Sequence, residues 1–212
     1  MMPPDLWIDR TALATVVALM AVGMGRAVFL YARGVHVVVL DWHKPVRRAL
    51  GDALSLILLI AWFYEVFAHG LPLVGHGDPW SLGVSVIQNS LVRFSGLAIL
   101  ASGLVLYTVA LFALGRSWRM GIDVDNPGPL VTTGLYGWSR NPIYAALMLI
   151  FPGAFLALGQ PVLLLLGSAL CLAVHLNALA EERFLTDVYG DAYREYSRTV
   201  GRYFTIARSP RS

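Results

Sequence analysis

Charge is what this chain has least of. Only 14% of its 212 residues are Asp, Glu, Lys or Arg, against roughly 25% in soluble domains. With 57% hydrophobic residues and a mean hydropathy of +0.64, an ordinary soluble domain is excluded. Lysine is nearly absent. Lys44 stands alone beside 15 arginines, and with 13 acids the net charge is +3. A basic balance could suit nucleic acid, but the arginines gather beside apolar runs, the pattern of membrane topology. No nucleic-acid partner is expected. One cysteine, Cys171, rules out an intramolecular disulfide framework and a cysteine-only metal site. It lies in an apolar stretch and reads as core packing. His36, His43, His69 and His76 have no metal-ligand spacing, so no metal is expected. The first ten residues carry Asp5 and Asp9 with no clean small-residue cleavage site after them. They do not read as a cleavable signal.

What is present is long apolar sequence. A helix needs about 20 apolar residues to cross a bilayer. Five segments come close, at about Thr11 to Tyr31, Ala49 to His69, Leu91 to Leu114, Ile143 to Leu158 and Pro161 to Ala180. The fourth is short and contains Pro152, which favours tilt or a kink. Gly159-Gln160-Pro161 is a tight turn signal, so the last two segments should form an antiparallel hairpin. The expectation is an all-α, polytopic transmembrane bundle of about five spans in one membrane domain, residues 1–212. Three spans occupy 1–114, and 115–212 hold a loop, the hairpin and a tail. Val35 to Leu40 is too short to span, and Gly70 to Trp80 reads as an outer loop.

Basic residues alternate along the links. Arg33, Lys44, Arg47 and Arg48 follow the first span; Arg116, Arg119 and Arg140 follow the third; six arginines lie in the tail. The positive-inside rule then puts the N-terminus outside and the C-terminus in the cytoplasm. The tail from Glu182 to Tyr203 repeats Phe184, Leu185, Val188, Tyr189, Tyr193, Tyr196 and Val200 at helical spacing, with Gly190 as a break. It should form a cytoplasmic amphipathic helix that lies along the surface or caps a site. The arginine bias hints at a GC-rich genome, so the expected location is a bacterial inner membrane.

One constellation carries chemistry. Gly134-Leu-Tyr136-Gly-Trp138-Ser-Arg140-Asn141-Pro142-Ile-Tyr144 is answered 41 residues after Arg140 by Glu181-Glu182, with the hairpin between. An antiparallel hairpin must bring the two runs to one membrane surface. Arg140 is a fixed cation with a planar donor fork for a carboxylate or phosphate. Pro142 disfavours helix at Asn141 and suits the first position of the fourth helix, whose N-terminus favours an anion. Two acids at the end of the fifth helix would oppose its dipole and call for a compensating cation. Adjacent helical residues point about 100° apart, so one glutamate should face a pocket directly. The bland alternatives are an interfacial arginine with an aromatic belt, and a solvated acid pair.

These runs resemble the isoprenylcysteine carboxyl methyltransferase and phospholipid methyltransferase superfamily. Its pattern is glycine-x-tyrosine, three residues, then arginine-histidine-proline-x-tyrosine. Glu181-Glu182-Arg-Phe-Leu185 with Tyr189-Gly190-Asp-Ala-Tyr193-Arg-Glu-Tyr196 and Val200 resembles the C-terminal block. The resemblance covers about Gly115 to Tyr203. Asn141 stands where isoprenylcysteine enzymes usually have histidine, and asparagine-proline-x-tyrosine is similar to the phosphatidylethanolamine methyltransferase version. The resemblance implies S-adenosylmethionine (SAM) as methyl donor and a lipophilic acceptor entering from the bilayer. It implies a cofactor pocket formed by Gly134, Tyr136, Arg140, Asn141, Pro142, Tyr144, Glu181 and Glu182.

The residue chemistry is compatible. Arg140 can pair with the donor's carboxylate, a glutamate can accept from its ammonium or ribose, and Tyr136, Trp138 or Tyr144 can face adenine or sulfonium. A thiolate or carboxylate acceptor needs little acid–base help, while an amine would call on a base such as Glu182 or His175. Arg140 and Glu182 are therefore the candidate catalytic residues, and Arg119, His175 and Trp138 the candidate acceptor contacts. His175 can equally serve a helix-to-helix hydrogen bond, and Arg119 can be a topology determinant. Asp123 and Asp125 read as turn residues. Two other classes remain: a membrane reductase using NADPH, because sterol reductases carry a similar arginine-x-proline-x-tyrosine run, and a non-catalytic membrane scaffold.

Overall fold

The computed structural model describes residues 4–35, 45–71, 85–115, 118 and 129–205. Arg119, Asp123, Asp125, Lys44, His36, His43, His76 and most of the expected outer loop lie outside the described residues. Every regular element among the described residues is helical. They are α1 (Pro4–Tyr31), α2 (Val46–Gly70), α3 (Ser90–Ala113), a 3-10 turn (Gly134–Gly137), α4 (Pro142–Leu158), α5 (Pro161–Tyr189) and α6 (Asp191–Thr199).

Four of these helices, α1, α2, α3 and α5, are long and apolar enough to cross a membrane. The fifth span expected is α4, whose 17 residues make about 25 Å of helix, a little under the roughly 30 Å of a hydrocarbon core. Pro152 sits inside α4 without ending it. Large apolar side chains point outward, including Leu50, Leu54, Ile57 and Ile60 on α2 and Leu164, Leu165, Leu172 and Leu176 on α5. An exposed apolar surface of this extent marks a lipid-facing wall. The chain is a multi-pass membrane bundle.

The hairpin forms where expected. Gly159 takes the left-handed conformation (φ 70°, ψ 15°) that closes α4, and Pro161 occupies the first turn of α5. Pro142 likewise opens α4 after a non-helical Asn141. Two boundaries differ from the sequence expectation: α1 begins at Pro4 rather than near Thr11, and the end of α5 bears on the site. The fifth helix does not end near Ala180 but runs on to Tyr189, and Gly190 (φ 55°) then turns the chain into α6. Glu181 and Glu182 therefore lie about two turns inside α5, where the dipole of the last turn does not reach.

The most intimate contact is between α3 and α4. A Cβ on Gly153 would lie 2.7 Å from the backbone nitrogen of Leu100, and one on Gly103 2.7 Å from Cγ1 of Ile150. Glycines let the two backbones approach, which is how helices pack when lipid offers no hydrophobic drive. At the far end of the bundle, Arg93 of α3 donates Nε to the Ala157 carbonyl of α4 (2.8 Å) and pairs with Asp9 of α1 at 2.5 Å. That network ties three helices together at the end away from Arg140. The two inner faces of α1 and α2 complete the core through Val16, Leu19, Trp62 and Val66.

Candidate functional site

The start of α4 and the last turns of α5 meet at one end of the bundle. Asn141 Nδ2 donates to Glu182 Oε1 at 2.9 Å, across 41 residues of sequence. The tail closes over this junction. Arg140 and Asn141 donate their backbone N–H groups to the Gly201 and Arg202 carbonyls at 3.0 Å each, and Thr205 donates back to the Trp138 carbonyl at 2.9 Å. The amide at Asn141 is thus not available to an anion as the helix-start argument expected.

The two glutamates divide. Adjacent positions on α5 point about 100° apart, and the face that carries Glu181, Phe184 and Leu185 lines a cavity of about 610 Å³. Glu181 is half-buried and lies beside Tyr144, which lines the same cavity. Glu182 is turned away and buried. It is held by Asn141, by both Nε and Nη2 of Arg202 (2.9 Å each), and at 3.4 Å by Nη1 of Arg140. Glu182 was expected to be catalytic; the geometry instead makes it the anchor of the tail, and Glu181 the acid that faces the cavity. Arg140 lines the cavity too, and its Nε is buried with no hydrogen-bond partner among the described residues. Such donors are rare; Arg26 Nε and Trp62 Nε1 are the others among the described residues, and Arg140 Nε is the one at the polar end of the cavity.

Tyrosines wall the polar end. Tyr136, Tyr144, Tyr189, Tyr193 and Tyr196 all line the cavity. Tyr196 donates its hydroxyl to the Tyr136 carbonyl at 2.5 Å, which docks α6 on the 3-10 turn. Burial, helped by the Glu182 charge, pushes the Tyr193 phenol up to about 12, and burial beside Tyr193 pushes Tyr196 up to about 12. Burial raises Tyr136 further, with Glu181 adding to it. These phenols stay neutral near pH 7 and act as donors and ring faces, not as bases.

The cavity continues inward between the N-terminal helices. Leu19, Met20, Gly23 and Met24 of α1, Leu59, Trp62 and Phe63 of α2, Tyr107 of α3 and Phe151 of α4 line its apolar limb. Helices α1 and α2 therefore shape the chamber as well as completing the bundle. Sequence reading gave no role to these positions, because an apolar residue on a spanning helix looks the same whether it faces lipid, core or cavity.

Other candidates fall elsewhere. Trp138 is 73% exposed and absent from the lining. Ring nitrogen Nδ1 of His175 lies 2.8 Å from the Tyr203 hydroxyl, outside the lining, so the structure gives it a helix-to-tail bond. Gly134 (φ 62°) opens the 3-10 turn and Pro142 is buried at the start of α4; both shape the loop behind the cavity. Arg202 was missed. Its partner Glu182 is 20 residues away, a spacing with no periodic signal.

The bundle and its chamber define a polytopic membrane protein with a polar site at one end and an apolar limb reaching into the membrane. Residues 91–192, just under half of the chain, match the family model described as phospholipid methyltransferase. No curated protein matches the chain. Among solved structures, the chain is similar to a eukaryotic intramembrane Ras methyltransferase, isoprenylcysteine carboxyl methyltransferase. The identity is 20% and the TM-score 0.51, over 97% of this chain and 69% of that one. At that identity the likeness is one of fold.

Proposed function

We propose that the protein is an integral membrane methyltransferase that binds SAM at the polar end of the chamber and takes a lipid-like acceptor through the apolar limb. The observation that carries this reading is the pairing of two free functionalities in one cavity: an unpartnered Arg140 Nε and the Glu181 carboxylate, ringed by neutral tyrosines. A cation and an anion on one wall suit an amino-acid zwitterion, with Arg140 taking its carboxylate and Glu181 its ammonium. The volume of about 610 Å³ lies within the roughly 300–1,000 Å³ of small-molecule sites. When bound, SAM supplies an electrophilic methyl group on a sulfonium. Faces of Tyr136, Tyr144 or Tyr193 would stabilise such a cation by about 0.5–2 kcal/mol.

The chain's own contribution is to orient and to exclude water. Tyr144 stands beside the Glu181 carboxylate, α6 closes the outer wall with Tyr193 and Tyr196, and the apolar limb aligns the acceptor. Positioning of this kind supplies much of the rate of a displacement between two bound partners. A carboxylate or thiolate acceptor needs no base, and for an amine Glu181 is the acid within the chamber. The arginine distribution supports a cytoplasmic side for the site, from which a soluble donor could reach it.

The test is methyl transfer. Purified protein in detergent, given SAM labelled in its methyl group and a bacterial lipid extract, should move label into the organic phase. Arg140→Ala and Glu181→Ala should abolish it. Label that stays in SAM with every lipid, carboxylate, thiol and amine offered would refute the reading.

A further inference from the structure

The polar end holds two arginines and one buried carboxylate, and the way they share it is uneven. Arg202 takes both Glu182 oxygens, with Nε and Nη2 at 2.9 Å each. Arg140 reaches the same carboxylate only at 3.4 Å through Nη1, and touches the Tyr193 hydroxyl only at 3.5 Å. Charge-assisted bonds close to roughly 2.7–2.9 Å when nothing prevents them. Arg140 is thus under-bonded while a carboxylate stands beside it, and the cause visible in the geometry is that Arg202, together with Asn141, already occupies that carboxylate. The backbone repeats the arrangement. The same short stretch, Gly201 and Arg202, accepts from the amides of Arg140 and Asn141 and fixes where the Arg140 side chain starts.

We propose that Arg202 is a positioning residue: by occupying Glu182 in bidentate fashion it keeps the Arg140 guanidinium from folding onto that glutamate and holds it toward the chamber. The tail is then part of the ligand site although Arg202 does not line it. Without Arg202, Glu182 is left buried, charged and short of donors, a costly state. The nearest relief is Arg140. Closing that gap would turn the guanidinium away from the cavity, and a ligand carboxylate would have to break the new pair before binding. As a claim about SAM affinity this rests on the reading of the chamber given above; as a claim about where Arg140 points it does not.

Two measurements on one set of variants separate these. The set is wild type, Arg202→Gln, and Arg202→Gln combined with Glu182→Gln, each checked for its melting temperature in detergent. The first measurement is the rate at which phenylglyoxal modifies Arg140, read by peptide mapping. It should fall several-fold in Arg202→Gln and recover in the double variant, where the competing charge is gone. The second is SAM affinity by calorimetry, expected to weaken about tenfold in Arg202→Gln and to return to within about threefold of wild type in the double variant. A merely structural role predicts the opposite order, the double variant being at least as impaired as the single one in both readouts. That order, or an Arg140 modification rate unchanged by Arg202→Gln, would overturn the proposal. The modification pattern across the three proteins, with no SAM binding by wild type, would sink the methyltransferase reading and leave the positioning role standing.

Discussion

Glu181 and Glu182 should fail in opposite ways when neutralised, although they are neighbours of the same type. Glu182 is 8% exposed and receives three short bonds, one from Asn141 and two from Arg202, besides the longer Arg140 contact. Hydrogen bonds to charged groups contribute about 1.5–3 kcal/mol each, and breaking a buried ion pair costs about 3–5 kcal/mol in total. The Arg202 side chain is 33% exposed, so water recovers part of its loss. Glu182→Ala should therefore destabilise by about 3 kcal/mol. For a chain of this size that lowers the melting temperature by roughly 6–12 °C. Glu181 lies beside Tyr144 and faces the cavity. Glu181→Gln keeps its shape and should cost no more than about 1 kcal/mol, while removing the ligand's counter-charge. The assay is thermal unfolding in detergent with and without SAM. Glu182→Ala should melt early but still be stabilised by ligand; Glu181→Gln should melt near wild type and gain nothing from it. The reverse assignment would refute the division drawn between the two acids.

Three further outcomes follow from the same geometry. Gly153→Leu should destabilise by about 1–3 kcal/mol or more, because the new Cβ meets Leu100 backbone and no rotamer relieves it; a wild-type melt would mean that α3 and α4 are looser than described. Met20→Trp should fill the apolar limb, raising the KM for a long-chain acceptor at least tenfold with SAM affinity retained, as steady-state kinetics beside calorimetry will show. The fold favours the neutral forms of Tyr193 and Tyr196, whose values rise from an ordinary 10 to about 12. Their contribution is complete below pH 10 and is lost as pH climbs through 12. Proteolysis at α6 should accelerate over that interval and not below it; cleavage that begins at neutral pH would contradict a docked helix.

Much of the scaffold was legible because membrane constraints are strong. Hydropathy and proline placement located the spans, and Gly159-Gln160-Pro161 and Asn141-Pro142 marked helix ends that the backbone honours. The hairpin argument also placed Arg140, Asn141 and Glu182 together from spacing alone. What failed did so for identifiable reasons. Polar residues after Ala180 suggested a helix end, but intrahelical bonding carries α5 on to Gly190, the first residue able to turn it. Which glutamate faces inward depends on helix phase, fixed by where Phe184 and Leu185 must pack. Trp138 looked like a pocket aromatic from its place in the motif, yet the loop turns its side chain to the surface and uses its backbone, N–H to Leu135 and carbonyl from Thr205. Arg202 and the lining of α1 and α2 are products of tertiary closure, and no local pattern announces them.

The central claim is that the Arg140–Glu181 chamber is a SAM site, and calorimetry on the detergent-purified protein tests it most directly. Wild type should bind SAM at micromolar concentration, with Arg140→Ala and Glu181→Ala each losing at least tenfold while NADPH gives no heat. Binding of NADPH with none of SAM would contradict the account in favour of a reductase, and binding of neither would leave the bundle as a scaffold.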